Sequence, residues 1–149
     1  VLKDPDIQVS FGRGVMTAKV IEGAYPDYRI ALSQKVTGKV LVKRADLLAA
    51  AKTASLMIDK QTSTVAFDFG QETLSVCTQA SDIGESRIDV PIQLDGEGME
   101  LRFNPTFLID ALRCVVDEDM RIELTDSEKP AVVRGGQHYR HLVMPLVTK

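Results

Sequence analysis

The 149-residue sequence contains no tryptophan, and five phenylalanines with three tyrosines leave it poor in aromatics. No apolar run approaches the roughly 20 residues that a membrane-spanning helix needs. The opening "VLKDPDIQ" has neither the basic start nor the long apolar core of a secretory signal. A cytoplasmic location without membrane contact is expected. The two cysteines, Cys77 and Cys114, lack metal-ligand spacing and the density of a disulfide scaffold, so both are expected to be small buried hydrophobes. The two histidines, His138 and His141, are three residues apart, a spacing that sends them to opposite faces of a strand and argues against a two-histidine metal site. Both are expected on the surface. A basic surplus is missing too: 18 Lys and Arg against 21 Asp and Glu give a net charge of -3. That balance excludes a protein built for tight, nonspecific adhesion to phosphates, though not looser contact with DNA.

Catalytic signatures are also missing. The sequence has no Walker loop, no nucleophile elbow and no Cys/His or Ser/His constellation in a recognisable context. The acidic "VDEDM" at 116–120 follows a helix without fixed geometry, and "DGEG" at 95–98 reads as a hairpin turn rather than a calcium loop. Neither catalysis nor a metal or cofactor is expected.

What the chain does contain is an ordinary globular balance, 44% apolar and 26% charged, and enough length for one domain with a core or one domain plus a piece of another. It starts without an initiator methionine and with strand-like text almost at once, which reads as a fragment. Residues 7–11, "IQVSF", and 15–21, "VMTAKVI", flank "GRG" and form a predicted hairpin. Gly23 and Pro26 then introduce a connector over 29–37 and a domain boundary.

Beyond the connector the text repeats. With Gly38 set against Gly98, an offset of 60, "GKVLVKRADLLAAAKTAS" lies over "GMELRFNPTFLIDALRCV". Further on, "STVAFDFGQETLSVCTQ" and "MRIELTDSEKPAVVRGG" each read as two alternating strands around a polar turn, at an offset near 57. The predicted fold class is therefore α+β: a duplicated strand–helix–strands unit, with two helices on one side of antiparallel sheets, since neither half buries a sheet face alone. Asn104 and Pro105 supply the N-cap and first position of the second helix. Its predicted buried face is Phe107, Leu108, Ala111, Cys114 and Val115; that of the first helix is Leu47, Ala51, Ala54 and Ile58. Lys52 and Arg113 fall on the outer sides.

Three stretches, "VIEGAYPDYR", "LRFNPTFLIDALRCVVDEDMRIELTD" and the terminal "HLVMPL", together resemble the bacterial β sliding clamp, the processivity subunit of replicative DNA polymerase. The resemblance covers nearly the whole chain. It implies a three-domain protein whose chains close in pairs, head to tail, into a homodimeric ring around double-stranded DNA. Residues 1–30 would be the last hairpin of the middle domain, 31–37 the connector and 38–149 the third domain. It further implies a groove that docks short apolar peptides of polymerases, clamp loaders and repair proteins, here made by Pro26, Ile30, Ala31, Asn104, Phe107, Leu142, Val143, Met144, Pro145 and Leu146. Lys52 and Arg113, with Lys43 and Arg44 as weaker candidates, would face DNA. Leu56 and Met57, off the buried stripe of the first helix, would join the ring interface. Departures are visible: the tail runs on as "LVTK" rather than ending in arginine and leucine, and Ile30 stands where a basic residue is common. A small ligand-binding or enzymatic α+β domain is the competing reading, favoured only by a buried pocket with convergent titratable groups.

Overall fold

The computed structural model describes residues 2–3, 6–25, 27–58, 64–80 and 84–146. At the start, β1 (Leu2–Lys3), β2 (Asp6–Phe11) and β3 (Gly14–Lys19) form a three-stranded antiparallel sheet. The β2–β3 turn is tight because Phe11 pairs with Gly14 and Gly12 takes φ +52, a conformation that glycine adopts without steric cost. The expected connector contains a five-residue helix, α1 (Tyr28–Leu32), started by Asp27, whose carboxylate accepts from the Arg29 amide at 3.0 Å.

The duplication is visible in the element order. The first unit runs β4 (Gly38–Lys43), α2 (Arg44–Ser55), β5 (Val65–Phe69), β6 (Thr73–Ala80) and β7 (Gly84–Gly96). The second runs β8 (Met99–Phe103), α3 (Pro105–Cys114), β9 (Asp119–Leu124), β10 (Ala131–Gly135) and β11 (Tyr139–Val143). Each unit thus carries one strand more than the repeated text showed. The strand order is β11-β10-β9-β4-β7-β6-β5-β8. The units therefore exchange their first strands: β4 pairs with β9 of the second unit, and β8 with β5 of the first. β7 changes partner at Pro91, pairing with β6 over 84–91 and with β4 over 92–96. A residue without an N–H suits the point where one ladder stops and the next starts.

Period-2 alternation sends Val40 and Val42 of β4 inward and Lys39, Leu41 and Lys43 outward, and β5, β8 and β9 follow suit. Phe67 of β5 and Phe103 of β8 meet edge to face at the centre, with ring centroids 5.6 Å apart. Above the sheets, α2 buries Leu47, Ala50, Ala51 and Ala54, small enough to let α3 pack alongside. Ile58, expected in that stripe, lies beyond the helix end and is only half-buried. The face of α3 is also corrected: Leu108, Ile109, Ala111, Leu112 and Val115 are buried, while Phe107 and Cys114 are exposed. The helix is apolar around more than half its girth, so neighbouring elements decide which residues are covered. Cys77, on the outward face of β6, is half-buried rather than sealed.

Residues 95–98 are not a hairpin turn, because β7 and β8 are not partners. They carry the chain from the interior strand β7 to the edge strand β8, passing the start of β4. Gly96 takes φ +113 there, and a Cβ would collide with the Thr37 carbonyl, which instead accepts from the Glu97 amide at 3.1 Å. No helix among the described residues is long and apolar enough to cross a membrane.

Candidate functional site

The start of α3 is held open by its cap. Asn104 accepts from the Thr106 amide at 3.0 Å, Pro105 is buried at the first position, and Phe107 projects from the first turn with 59% of its surface exposed. The chain just beyond β11 lies nearby, because Leu146 bonds to Arg102, two residues before the Asn104 cap. Val143 is buried in the core, Met144 is 57% exposed, Pro145 is buried and Leu146 is 42% exposed. The Leu146 amide donates to the Arg102 carbonyl of β8 at 2.7 Å, so the chain turns from β11 onto the neighbouring sheet edge. Pairing of Ala131 with Val143 brings buried Pro130 opposite Met144, a contributor that the sequence did not single out. The turn leading to Pro130 is fixed by Asp126, which accepts from the Glu128 amide at 2.9 Å and pairs with Lys129 at 2.8 Å. On the other side, Tyr28 and Leu32 of α1 line a cleft of about 570 Å³ with Gln137, His138, Arg140, His141 and Leu142.

The expected groove residues thus fall into groups. Ile30, Phe107, Met144 and Leu146 offer exposed apolar surface; Leu142 lines the cleft; Asn104 acts as a cap; Pro145 and Val143 are buried. Pro26 and the side chain of Ala31 lie outside the described residues.

Beside this group, the Tyr139 hydroxyl donates to the Ala111 carbonyl at 2.8 Å and lies 3.3 Å from His141 Nδ1, with the two rings stacked at 6.2 Å. Burial holds the Tyr139 phenol above its ordinary pKa, with Cys114 adding to the rise. Its single proton is therefore available to Ala111. His138 lies in the exposed β10–β11 turn, and half-buried His141 is in the strand.

The basic candidates differ in their partners. Lys43 pairs with Glu118 at 3.7 Å, and Arg113 with Asp110, one turn back on α3, at 3.2 Å. Arg44 is half-buried at the start of α2, with an unpartnered Nε. Lys52 is exposed and enters none of the ion pairs formed among the described residues. At the end of α2, Leu56 is 83% exposed and Met57 half-buried. Among the described strands, residues 84–90 of β7 pair only with β6. That edge is braced by Asp89, which accepts from Ser75 at 2.7 Å and Arg87 at 3.0 Å. The Ser75 bond first, then Arg87, holds the Asp89 carboxyl below its ordinary pKa. Among the described residues, no three His, Cys, Asp or Glu side chains are grouped to hold a metal ion.

Two half-units that exchange strands beneath a pair of helices define the architecture of a sliding-clamp domain. Residues 29–147 match the family described as DNA polymerase III beta subunit, C-terminal domain, and the chain belongs to that family. The beta sliding clamp of Chlamydia muridarum is 24% identical over 145 residues, covering 97% of this chain and 40% of that protein. The beta sliding clamp of Synechococcus elongatus is 28% identical over 140 residues, covering 91% of this chain and 37% of that protein. The chain therefore spans about 40% of the length of such relatives. In fold it is similar to the DNA polymerase III beta subunit of Thermotoga maritima, with a TM-score of 0.85 at 23% identity over 99% of this chain and 41% of that one. The sliding clamp of Bartonella birtlesii, solved bound to griselimycin, superposes with a TM-score of 0.87 at 23% identity, covering 99% of this chain and 40% of that one.

Proposed function

We propose that the chain is a segment of a replication processivity clamp whose groove beside the end of β11 docks short apolar peptides of polymerases, clamp loaders and repair proteins. Residues 1–30 belong in this reading to the middle domain, 31–37 to the connector and 38–149 to the third domain of a cytoplasmic, non-catalytic subunit. The observation that carries it is the exposure of Phe107, Met144 and Leu146 around buried Pro145. A folded chain seldom leaves several large apolar side chains of one neighbourhood in water without a partner for them. Methionine adapts its shape to different side chains and proline fixes a wall. Two buried peptide anchors contribute roughly 3–6 kcal/mol, and backbone and rim contacts bring the total to about 8, a micromolar dissociation constant that permits exchange of partners.

Double-stranded DNA faces α2 and α3 in this reading. Encirclement supplies the affinity, so few phosphate contacts are needed and a net charge of -3 is no obstacle. Lys52 is the more available cation, because Arg113 and Lys43 already have carboxylate neighbours. The edge of β7 over 86–90, paired on one side among the described strands, and Leu56 and Met57, just past the end of α2, are the surfaces through which a homodimeric ring closes; such an edge suits continuation of the sheet by a partner strand. The docking role is tested by titrating a fluorescein-labelled hexapeptide with leucine and phenylalanine anchors. Met144→Ala is expected to weaken binding about tenfold, the loss of one apolar anchor contact. Identical affinities would remove Met144 from the site.

A further inference from the structure

The last four carbonyls of a helix have no partner within it, and Ala111 is among those of α3, which ends at Cys114. Capping differs between the two helices. At the end of α2 the Leu56 and Met57 amides fold back onto Thr53 and Ala54, at 3.1 Å each. α3 has no such return: Val115 is extended, at φ -75 and ψ 130, and the carbonyl of Ala111 is taken by the Tyr139 hydroxyl instead. The phenol has one proton, and it is spent on Ala111. The 3.3 Å contact with His141 is therefore a hydrogen bond only when Nδ1 carries the proton and donates to the phenol oxygen. Stacking of the two rings holds the phenol in that direction.

From these contacts we propose that Tyr139, oriented by His141, is a positioning residue that sets the spacing between Phe107 and Met144, and so the peptide affinity of the groove. The inference rests on the docking reading above. Ala111 lies one helical turn from Phe107, about 6 Å along the axis, and Tyr139 is on the strand that ends at Val143, the residue before Met144. One bond therefore ties together the two elements whose other ends form the walls. It is a strut and not a wall, because neither Tyr139 nor His141 supplies the exposed apolar surface.

The test measures hexapeptide affinity and, in the peptide-free chain, the methyl 1H–13C resonance of Met144. Tyr139→Phe keeps the ring and loses the hydroxyl; it is expected to weaken binding about 3- to 10-fold, the effect of one part-buried hydrogen bond, and to shift the Met144 signal. Ser75→Ala breaks a hydrogen bond on the outward face of the first unit. It controls for general destabilisation and should leave affinity and resonance in place. His141→Gln, which keeps a donor, is expected to preserve affinity, whereas His141→Leu weakens it. If Tyr139→Phe does not fold, equal affinities for the two His141 variants overturn the proposal. Where the unsubstituted chain binds and Met144→Ala weakens it, unchanged affinity in Tyr139→Phe overturns the strut and leaves docking intact. Absence of saturable binding by the unsubstituted chain sinks the docking reading itself; an unmoved Met144 resonance in Tyr139→Phe then overturns the strut independently.

Discussion

The two units share an element order, yet one is sealed where the other is open. In the first, the strand passes Pro91 and continues as Ile92–Gly96 along β4, and Leu47, in the position that aligns with Phe107, is fully buried. In the second, the chain passes Pro145, 54 residues later, and makes a single described bond to β8 through Leu146, while Phe107 remains exposed. The same scaffold thus supports a closed joint in one unit and exposed apolar surface in the other. The difference among the described residues lies in the pairing of Ile92–Gly96 with β4 and in which side chain occupies the first turn of a helix.

The largest effects are expected in the core that the two units share. Phe67→Ala and Phe103→Ala each remove one ring of a buried pair, and each is expected to cost about 4 kcal/mol in urea denaturation. Strongly unequal losses would mean that the two units contribute unequally to their shared core. Next in size is Gly96→Ala, which places a Cβ against the Thr37 carbonyl at positive φ and is expected to cost about 2 kcal/mol by the same measurement. Unchanged stability would show that the crossover over β4 tolerates a shift and seals nothing.

A smaller effect separates the joints. Val90→Ala, in the buried position that aligns with Met144, is expected to cost about 1–2 kcal/mol of stability and leave peptide affinity alone, whereas Met144→Ala loses affinity with a stability change under about 1 kcal/mol. The smallest effect concerns acid. The folded pKa of Asp89 is depressed, so its contribution is present above the unfolded value, near 4, and is lost as pH falls through the lower folded value. Asp89→Asn is therefore expected to flatten the stability profile below about pH 4, with little change at pH 7 in the slope. A profile as steep as that of the unsubstituted chain would remove Asp89 from the acid response.

Much of this architecture was legible in the sequence because it rests on short-range periodicity. Alternation in β4, β5 and β9 and the Asn104–Pro105 cap come from patterns within a few residues of one another, and the repeat shows because the same short patterns recur about 60 residues later. Strand exchange between the units was not legible, since pairing of β4 with β9 joins residues some 80 apart and leaves no local mark. Phe107 was misplaced for a related reason: a helical wheel groups apolar residues without distinguishing a core contact from a surface awaiting a partner. Among the proposed groove positions, "HLVMPL" stood out as an apolar run, but the burial of Val143 beside exposed Met144 required the register with β10. Tyr139 gave no signal, because a tyrosine in an alternating strand does not reveal that its hydroxyl closes a helix elsewhere.

Exchange of β4 and β8 also changes what the Glu97–Gly98 link is for. Each unit grips the other's first strand, so a single backbone cut at that link would leave two pieces clasped like folded hands, parting only if both sheets tore at once. Tension along the segment is therefore shared by rows of hydrogen bonds in shear and does not fall on one covalent tether.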